Sequence, residues 1–141
     1  AITYCIRNLR AKHLVDVATL TGACVVALGH ISTGAWTNDE SFLKTLKTAS
    51  DTAGEYVWHM PLFEEYRQPI KSDIADMKNS GGRPGGAISA AMFLEEFVEE
   101  TPWIHLDIAG TATTDNAAHI AKGPTAAMVR TFIELSRQMA S

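Results

Sequence analysis

Basic charge and cysteine are both scarce in this chain, and it has no long, strongly apolar run. Twelve Lys and Arg stand against sixteen Asp and Glu, a formal net charge of −4. That balance supplies no field to draw phosphates and argues against nucleic-acid binding. Of the two cysteines, Cys5 and Cys24, both sit among apolar neighbours. They are expected to be packing thiols of a reduced, cytoplasmic protein, too few for a disulfide framework. Val17 to Asn38 carries no Asp, Glu, Lys or Arg, a length of roughly 20 residues that could span a bilayer. Thr19, Thr21, Gly22, Gly29, His30 and Ser32 interrupt it, however, so it is expected to be strand, turn and helix within a globular core. No membrane partner is expected. A secretory leader pattern and an initiator Met are also missing. The chain opens at Ala1 as though inside an element, and the expectation is a piece of a longer protein.

What is present is an ordinary apolar fraction, 46% of 141 residues, enough for one domain over residues 1–141. Helical spacing of Ile2, Cys5, Ile6 and Leu9 suggests the end of a helix over residues 1–10. Residues 14–20 are apolar on both parities, as in a central parallel strand covered on both faces. A short helix over 23–28, a strand over 31–37 and a helix over 40–53 capped by Asn38-Asp39 follow. A short helix over 62–68 stops at Pro69. Residues 69–86 are irregular and glycine-dense, with Asp73 and Asp76. A helix over 86–100 buries Ala87, Ala90, Ala91, Leu94, Phe97 and Val98, and a buried strand spans 103–110. After a polar loop over 111–123, Gly123-Pro124 is expected to start a terminal helix with Met128, Phe132, Leu135 and Met139 as its stripe. Alternating strands and helices point to an α/β domain with a largely parallel sheet.

Most chemical motifs fail on inspection. Gly81 and Gly86 have phosphate-loop spacing, but Ala87-Ile88 stands where Lys-Ser/Thr is needed. A small nucleotide-binding domain therefore loses its central residue. The histidines His13, His30, His59, His105 and His119 form no paired metalloprotease arrangement. Asp73 and Asp76 read as solvated loop carboxylates, and Glu95, Glu96, Glu99 and Glu100 as a wet helix face. His105 and Asp107 share one side of their strand and are expected to form a polar core pair. Two loops remain, Thr19-Leu20-Thr21-Gly22-Ala23 and Ala109-Gly110-Thr111-Ala112, each after a buried strand. Ligands of open α/β sheets bind outside the strands' carboxyl ends. Whether Gly22 and Gly110 make room for a ligand or only allow tight turns, the spacing leaves open.

The blocks Val15-Asp16-Val17-Ala18-Thr19-Leu20-Thr21-Gly22-Ala23, Gly81-Gly82-Arg83-Pro84-Gly85-Gly86-Ala87-Ile88-Ser89-Ala90-Ala91 and His105-Leu106-Asp107-Ile108-Ala109-Gly110-Thr111-Ala112 follow one another along the chain. In that order the sequence resembles the leucyl (cytosol) aminopeptidase family, in the C-terminal part of its catalytic domain. The resemblance implies a three-layer α/β/α sandwich, here an incomplete domain, and a homohexameric enzyme that removes N-terminal residues from peptide substrates. It implies two divalent metal ions, zinc or manganese, that activate a bridging water. The family's metal ligands and catalytic groups end in a block Asn-Thr-Asp-Ala-Glu-Gly-Arg, which this sequence lacks. No residue here inherits a catalytic or metal role. Carried over by motif position, Thr19 and Gly22 would line the pocket for the N-terminal side chain. Leu20 would offer a backbone hydrogen bond, and Ala109 and Ala112 would close the far wall, the small Ala112 leaving space for a bulky apolar side chain. Asn79 and Ser80 would border the pocket for the next residue. The chain alone is expected to be inactive. The competing expectation is a non-enzymatic binding or assembly module derived from the same fold.

Overall fold

Alternating parity on the strands sets the layers. The structure, a computed structural model, describes residues 1–115 and 121–140. In chain order the elements are α1 (Ile2–Arg7), β1 (Leu14–Ala18), α2 (Gly22–Leu28), β2 (Thr33–Thr37), α3 (Glu40–Ala53) and β3 (Val57–His59). A 3-10 helix (Glu64–Ile70), α4 (Gly86–Glu95), β4 (Trp103–Asp107), β5 (Thr113–Thr114), β6 (Gly123–Pro124) and α5 (Val129–Ala140) follow. Four strands form one sheet in the order β1-β4-β2-β3. The β1–β4 and β2–β3 pairings are parallel and β2–β4 is antiparallel. The sheet is therefore mixed but largely parallel, in an α/β fold.

Successive strand residues face opposite sides. Ala35, Val57, Ile104 and Leu106 meet Phe42, Leu43, Leu46 and Ala49 of α3 and Leu135 of α5 on one side. On the other, Trp36 and Trp103 pack with Cys24 of α2 and Ala87, Ile88 and Ala91 of α4. All five residues of β2 and of β4 are buried, whereas none of β1 is. Apolar residues on both parities suggested a central strand; among the described residues β1 stands at the end of the sheet order, paired with β4.

Local signals placed α3 well. Asp39 accepts from Phe42 N at 2.8 Å at its start, and Gly54 ends it in the left-handed conformation. The C-terminal helix is a correction. Gly123–Pro124 pairs as β6 with β5, and Ala126 and Met128 have φ of 55° and 68°, which no right-handed helix accommodates. α5 begins only at Val129, and the Glu55 carboxylate caps it. That carboxylate accepts from Met128 N and Thr131 N, both at 2.8 Å, and from the Thr131 hydroxyl at 2.7 Å. The capping residue is 73 positions away, so no window of sequence contains both. Of the expected stripe, Met128 and Leu135 are buried and Phe132 packs beside them, while Met139 is 47% exposed.

Two further expectations are revised. Pro69 lies inside the 3-10 helix and does not stop it. α4 ends at Glu95, with Ala87, Ile88, Ser89, Ala91 and Met92 buried; Val98 is buried beyond it and Phe97 is exposed. The glutamates after it are paired as well as wet. Arg67 bonds Glu95 at 2.6 Å, Glu64 at 2.9 Å and Glu96, and Arg7 meets Glu99 at 2.6 Å. Burial raises the Glu95 carboxyl pKa despite Arg67, whose single charge is shared among three carboxylates.

Candidate functional site

The carboxyl ends of β1 and β4 lie side by side, because Ala18 and Asp107 are register partners. The chain leaves β1 through Thr19 and Leu20 and enters α2, whose N-cap Thr21 accepts from Cys24 N at 3.0 Å. From β4 it turns through Ala109 and Gly110. Both turns converge on one carboxylate. Asp107, 1% exposed, accepts from Leu20 N at 3.1 Å and Ala109 N at 3.0 Å through Oδ1. Through Oδ2 it accepts from Thr21 N at 3.1 Å and the Thr21 hydroxyl at 2.7 Å. A buried carboxylate with this many donors needs no cation beside it.

His105 does not pair with Asp107 as expected. Its Nδ1 lies 2.6 Å from Asp16 Oδ1, and Asp16 Oδ2 accepts from Trp103 Nε1 at 2.6 Å. Asp16 on the neighbouring strand is opposite His105 in register, closer than the next same-side residue along β4. Cys24 contributes packing: burial first, then the Asp107 charge, pushes its thiol up to about 11, so it stays protonated and unreactive near neutrality. Cys5 is half-buried, and both cysteines are free.

Beside these turns opens a cavity of about 900 Å³, lined by residues 20–23, Val26 and Ala27, the glycine-dense segment 79–83, residues 85–90 and Met60. Leu20 and Gly22 line it, as do Asn79 and Ser80. Thr19 is exposed, while Ala109 and Ala112 are half-buried in the turn after β4; none of the three lines this cavity. The two glycines left open by spacing now separate. A Cβ on Gly110 would sit 2.1 Å from the Gly29 carbonyl oxygen, so backbone approach demands glycine there. A Cβ on Gly22 would meet nothing within 4 Å, so only open space beside the cavity distinguishes that position. Sequence reasoning missed Arg83, Val26 and Met60 on the wall and the anchoring role of Asp107. An aspartate ending a buried strand was the available signal for the last.

Asp73 and Asp76 are exposed, and His119 lies outside the described residues. Among the described residues, no group of three or more His, Cys, Asp or Glu could hold a metal ion. None of their helices is long and apolar enough to cross a membrane.

Residues 1–133 match the cytosol aminopeptidase family, catalytic domain. The chain belongs to the cytosol aminopeptidase family. The probable cytosol aminopeptidase of Koribacter versatilis is 55% identical over 130 residues, covering 92% of this chain and 25% of that protein. That of Solibacter usitatus is 53% identical over 137 residues, covering 96% and 28%. Among solved structures, a tomato leucine aminopeptidase mutant superposes with a TM-score of 0.92 at 39% identity, over 98% of this chain and 27% of that one. The bottromycin maturation enzyme BotP in complex with Mn gives 0.94 at 39% identity, over 99% and 32%. The chain thus spans between a quarter and a third of the length of these relatives, and it corresponds to the C-terminal part of the family's catalytic domain.

Proposed function

We propose that this chain is the C-terminal segment of a two-metal aminopeptidase that releases leucine-like N-terminal residues from peptides, and that it supplies substrate pocket and scaffold. The carrying observation is the crevice at the carboxyl ends of parallel strands, bordered by Leu20 and Gly22, within a segment that matches the family's catalytic domain from residue 1 to 133. In the assembled enzyme Thr19, Leu20 and Gly22 line the pocket for the N-terminal side chain and Ala109 and Ala112 close its far wall; of these, Leu20 and Gly22 border the cavity seen in this chain. Asp107 ties the two turns together from beneath.

The residues described do not fit the two divalent ions, zinc or manganese, that this activity calls for. The half-buried Asp16 carboxylate is engaged by Trp103 and His105, and the buried Asp107 carboxylate by Leu20, Thr21 and Ala109. The ions belong to residues outside this chain. The isolated chain is accordingly inactive, and the working enzyme is a cytoplasmic homohexamer acting on peptides, without nucleic-acid or membrane partners.

Two assays on a leucyl chromogenic substrate test this reading. The 141-residue chain with added manganese or zinc is expected to give no turnover, and turnover would overturn its assignment as scaffold. A chimera in which it replaces the matching region of the Solibacter usitatus relative is expected to hydrolyse the substrate. A folded but inert chimera would sink the aminopeptidase reading.

A further inference from the structure

Charge is distributed unevenly around the cavity. Among the described residues that line it, Arg83 is the single charged side chain. Most of the remaining wall is apolar or glycine, with Thr21, Asn79, Ser80 and Ser89 as its polar members. Arg7, Arg67, Arg130 and Arg137 each meet a glutamate. Among the described residues Arg83 meets no carboxylate, and neither does Arg10, which lies off the cavity wall. Asp73 and Asp76, in the same irregular segment, do not line the cavity either. A guanidinium on an otherwise uncharged crevice wall, with no counter-charge of its own, is suited to take one from a ligand.

The backbone fixes where that side chain starts. Gly86 N donates to the Arg83 carbonyl at 3.3 Å and closes a four-residue turn. Pro84 is its second residue and Gly85 its third, the latter at φ 60° and ψ 24°, as a type II turn requires. Proline presets the one position, and glycine takes the left-handed one without strain. Two residues upstream, a Cβ on Gly81 would lie 2.7 Å from the Ser89 Cβ, so the segment is pressed against α4. Arg83 therefore stands on a turn tied to α4, with a long side chain able to reach along the cavity.

The geometry points to Arg83 as a specificity-determining residue that takes the C-terminal carboxylate of a dipeptide substrate. This inference rests on the aminopeptidase reading above and deepens it by naming the substrate class. In that reading Leu20 and Gly22 border the N-terminal side chain, and Asn79 and Ser80 border the next residue. Arg83 follows on the same segment of the wall, where the chain of a dipeptide ends. The cavity, of about 900 Å³, is on the scale of pockets that enclose a small ligand whole, roughly 300–1,000 Å³. The planar guanidinium matches a carboxylate with two parallel N–H···O bonds. A C-terminal amide, or the peptide group of a longer chain, brings no charge to that place and gains little from it.

The test pairs two substrates on the metal-loaded Solibacter chimera: leucylglycine, and leucylglycinamide, which lacks the terminal charge. Arg83→Gln is expected to lower kcat/KM for leucylglycine about tenfold, the scale of one charge-assisted hydrogen bond, mainly through KM. The amide is expected to lose less than about twofold on the same scale, and its continued turnover shows that the variant is folded. Arg83→Lys keeps the charge but not the fork, and is expected to fall between the unsubstituted chimera and Arg83→Gln on leucylglycine. Lys71→Gln removes the same charge from an exposed position of the segment off the cavity wall. It is expected to change neither substrate by more than about twofold; a loss matching that of Arg83→Gln would reduce the effect to net charge and overturn the inference. Equal losses on the two substrates in Arg83→Gln, or no loss on either, would overturn it as well. The aminopeptidase reading survives those outcomes as long as the leucyl chromogenic substrate is hydrolysed. A folded unsubstituted chimera that hydrolyses neither leucylglycine nor the chromogenic substrate overturns both.

Discussion

On one side of the sheet, Ala35, Val57, Ile104 and Leu106 meet the leucines of α3 and α5 in a closed aliphatic layer. On the other, Trp36 and Trp103 meet the small-sided α2 and α4, and the layer opens at the strand ends into the cavity. The same four strands serve both. The first side fills its volume with branched side chains in contact, as stable interiors do. The second lets two tryptophans take up volume near the middle, while alanine and glycine keep the helices close and leave the strand ends accessible. Stability is therefore concentrated on the α3–α5 side and ligand access on the α2–α4 side.

Substitutions can break this division directly. Leu46→Ala, at 0% exposure in the aliphatic layer, is expected to lower unfolding free energy by about 2–5 kcal/mol in urea titrations. Val26→Ala, at 89% exposure on the cavity wall, is expected to change it by less than about 0.5 kcal/mol. Similar losses at both positions would erase the contrast.

Glycines sharpen it within the second side. Gly110→Ala forces a methyl group against the Gly29 carbonyl and is expected to cost about 1–3 kcal/mol, measured by thermal unfolding. Gly22→Ala meets no obstacle at the start of α2. It is expected to leave stability within about 1 kcal/mol, or raise it, while raising KM of the chimera for leucyl substrates.

Glu55→Gln should loosen α5 and with it the aliphatic layer, because three donors lose their charged acceptor. The expected loss is about 1–2 kcal/mol, read as a lower midpoint in denaturant with helix signal fading first.

The smallest effect concerns Glu95. Its pKa in the fold is raised above the ordinary value of 4.5, so between those two values the native state binds more protons than the unfolded one and stability falls as pH rises. The contribution is full below the unfolded pKa and is lost as pH climbs through the folded one. Glu95→Gln removes it, so melting temperatures of the two proteins should diverge in favour of the variant as pH rises above the ordinary value of 4.5. Parallel curves would show that Arg67 fully compensates burial.

Much of this was legible residue by residue. Asp39 announced α3, Gly29 the end of α2, and the Thr19–Ala23 block marked a turn whose residues from Leu20 onward line the cavity. What escaped the sequence involved partners distant along the chain. Asp16 took His105 where Asp107 had been expected, Glu55 capped a helix in place of Pro124, and Arg67 gathered glutamates taken for a solvated face.

The sequence by itself determined the α/β alternation, the strand-end loops and, through collinear motif blocks, the family. These are carried by short-range spacing and by residue type. Only the tertiary structure decided that β1 pairs with β4, that Gly110 is required by the backbone of Gly29 while Gly22 borders open space, and that Asp107 holds both turns. Each of those depends on which strands become neighbours. Hydrogen bonds and steric contact act over a few ångströms in space, and the partners concerned lie some eighty or more residues apart along the chain.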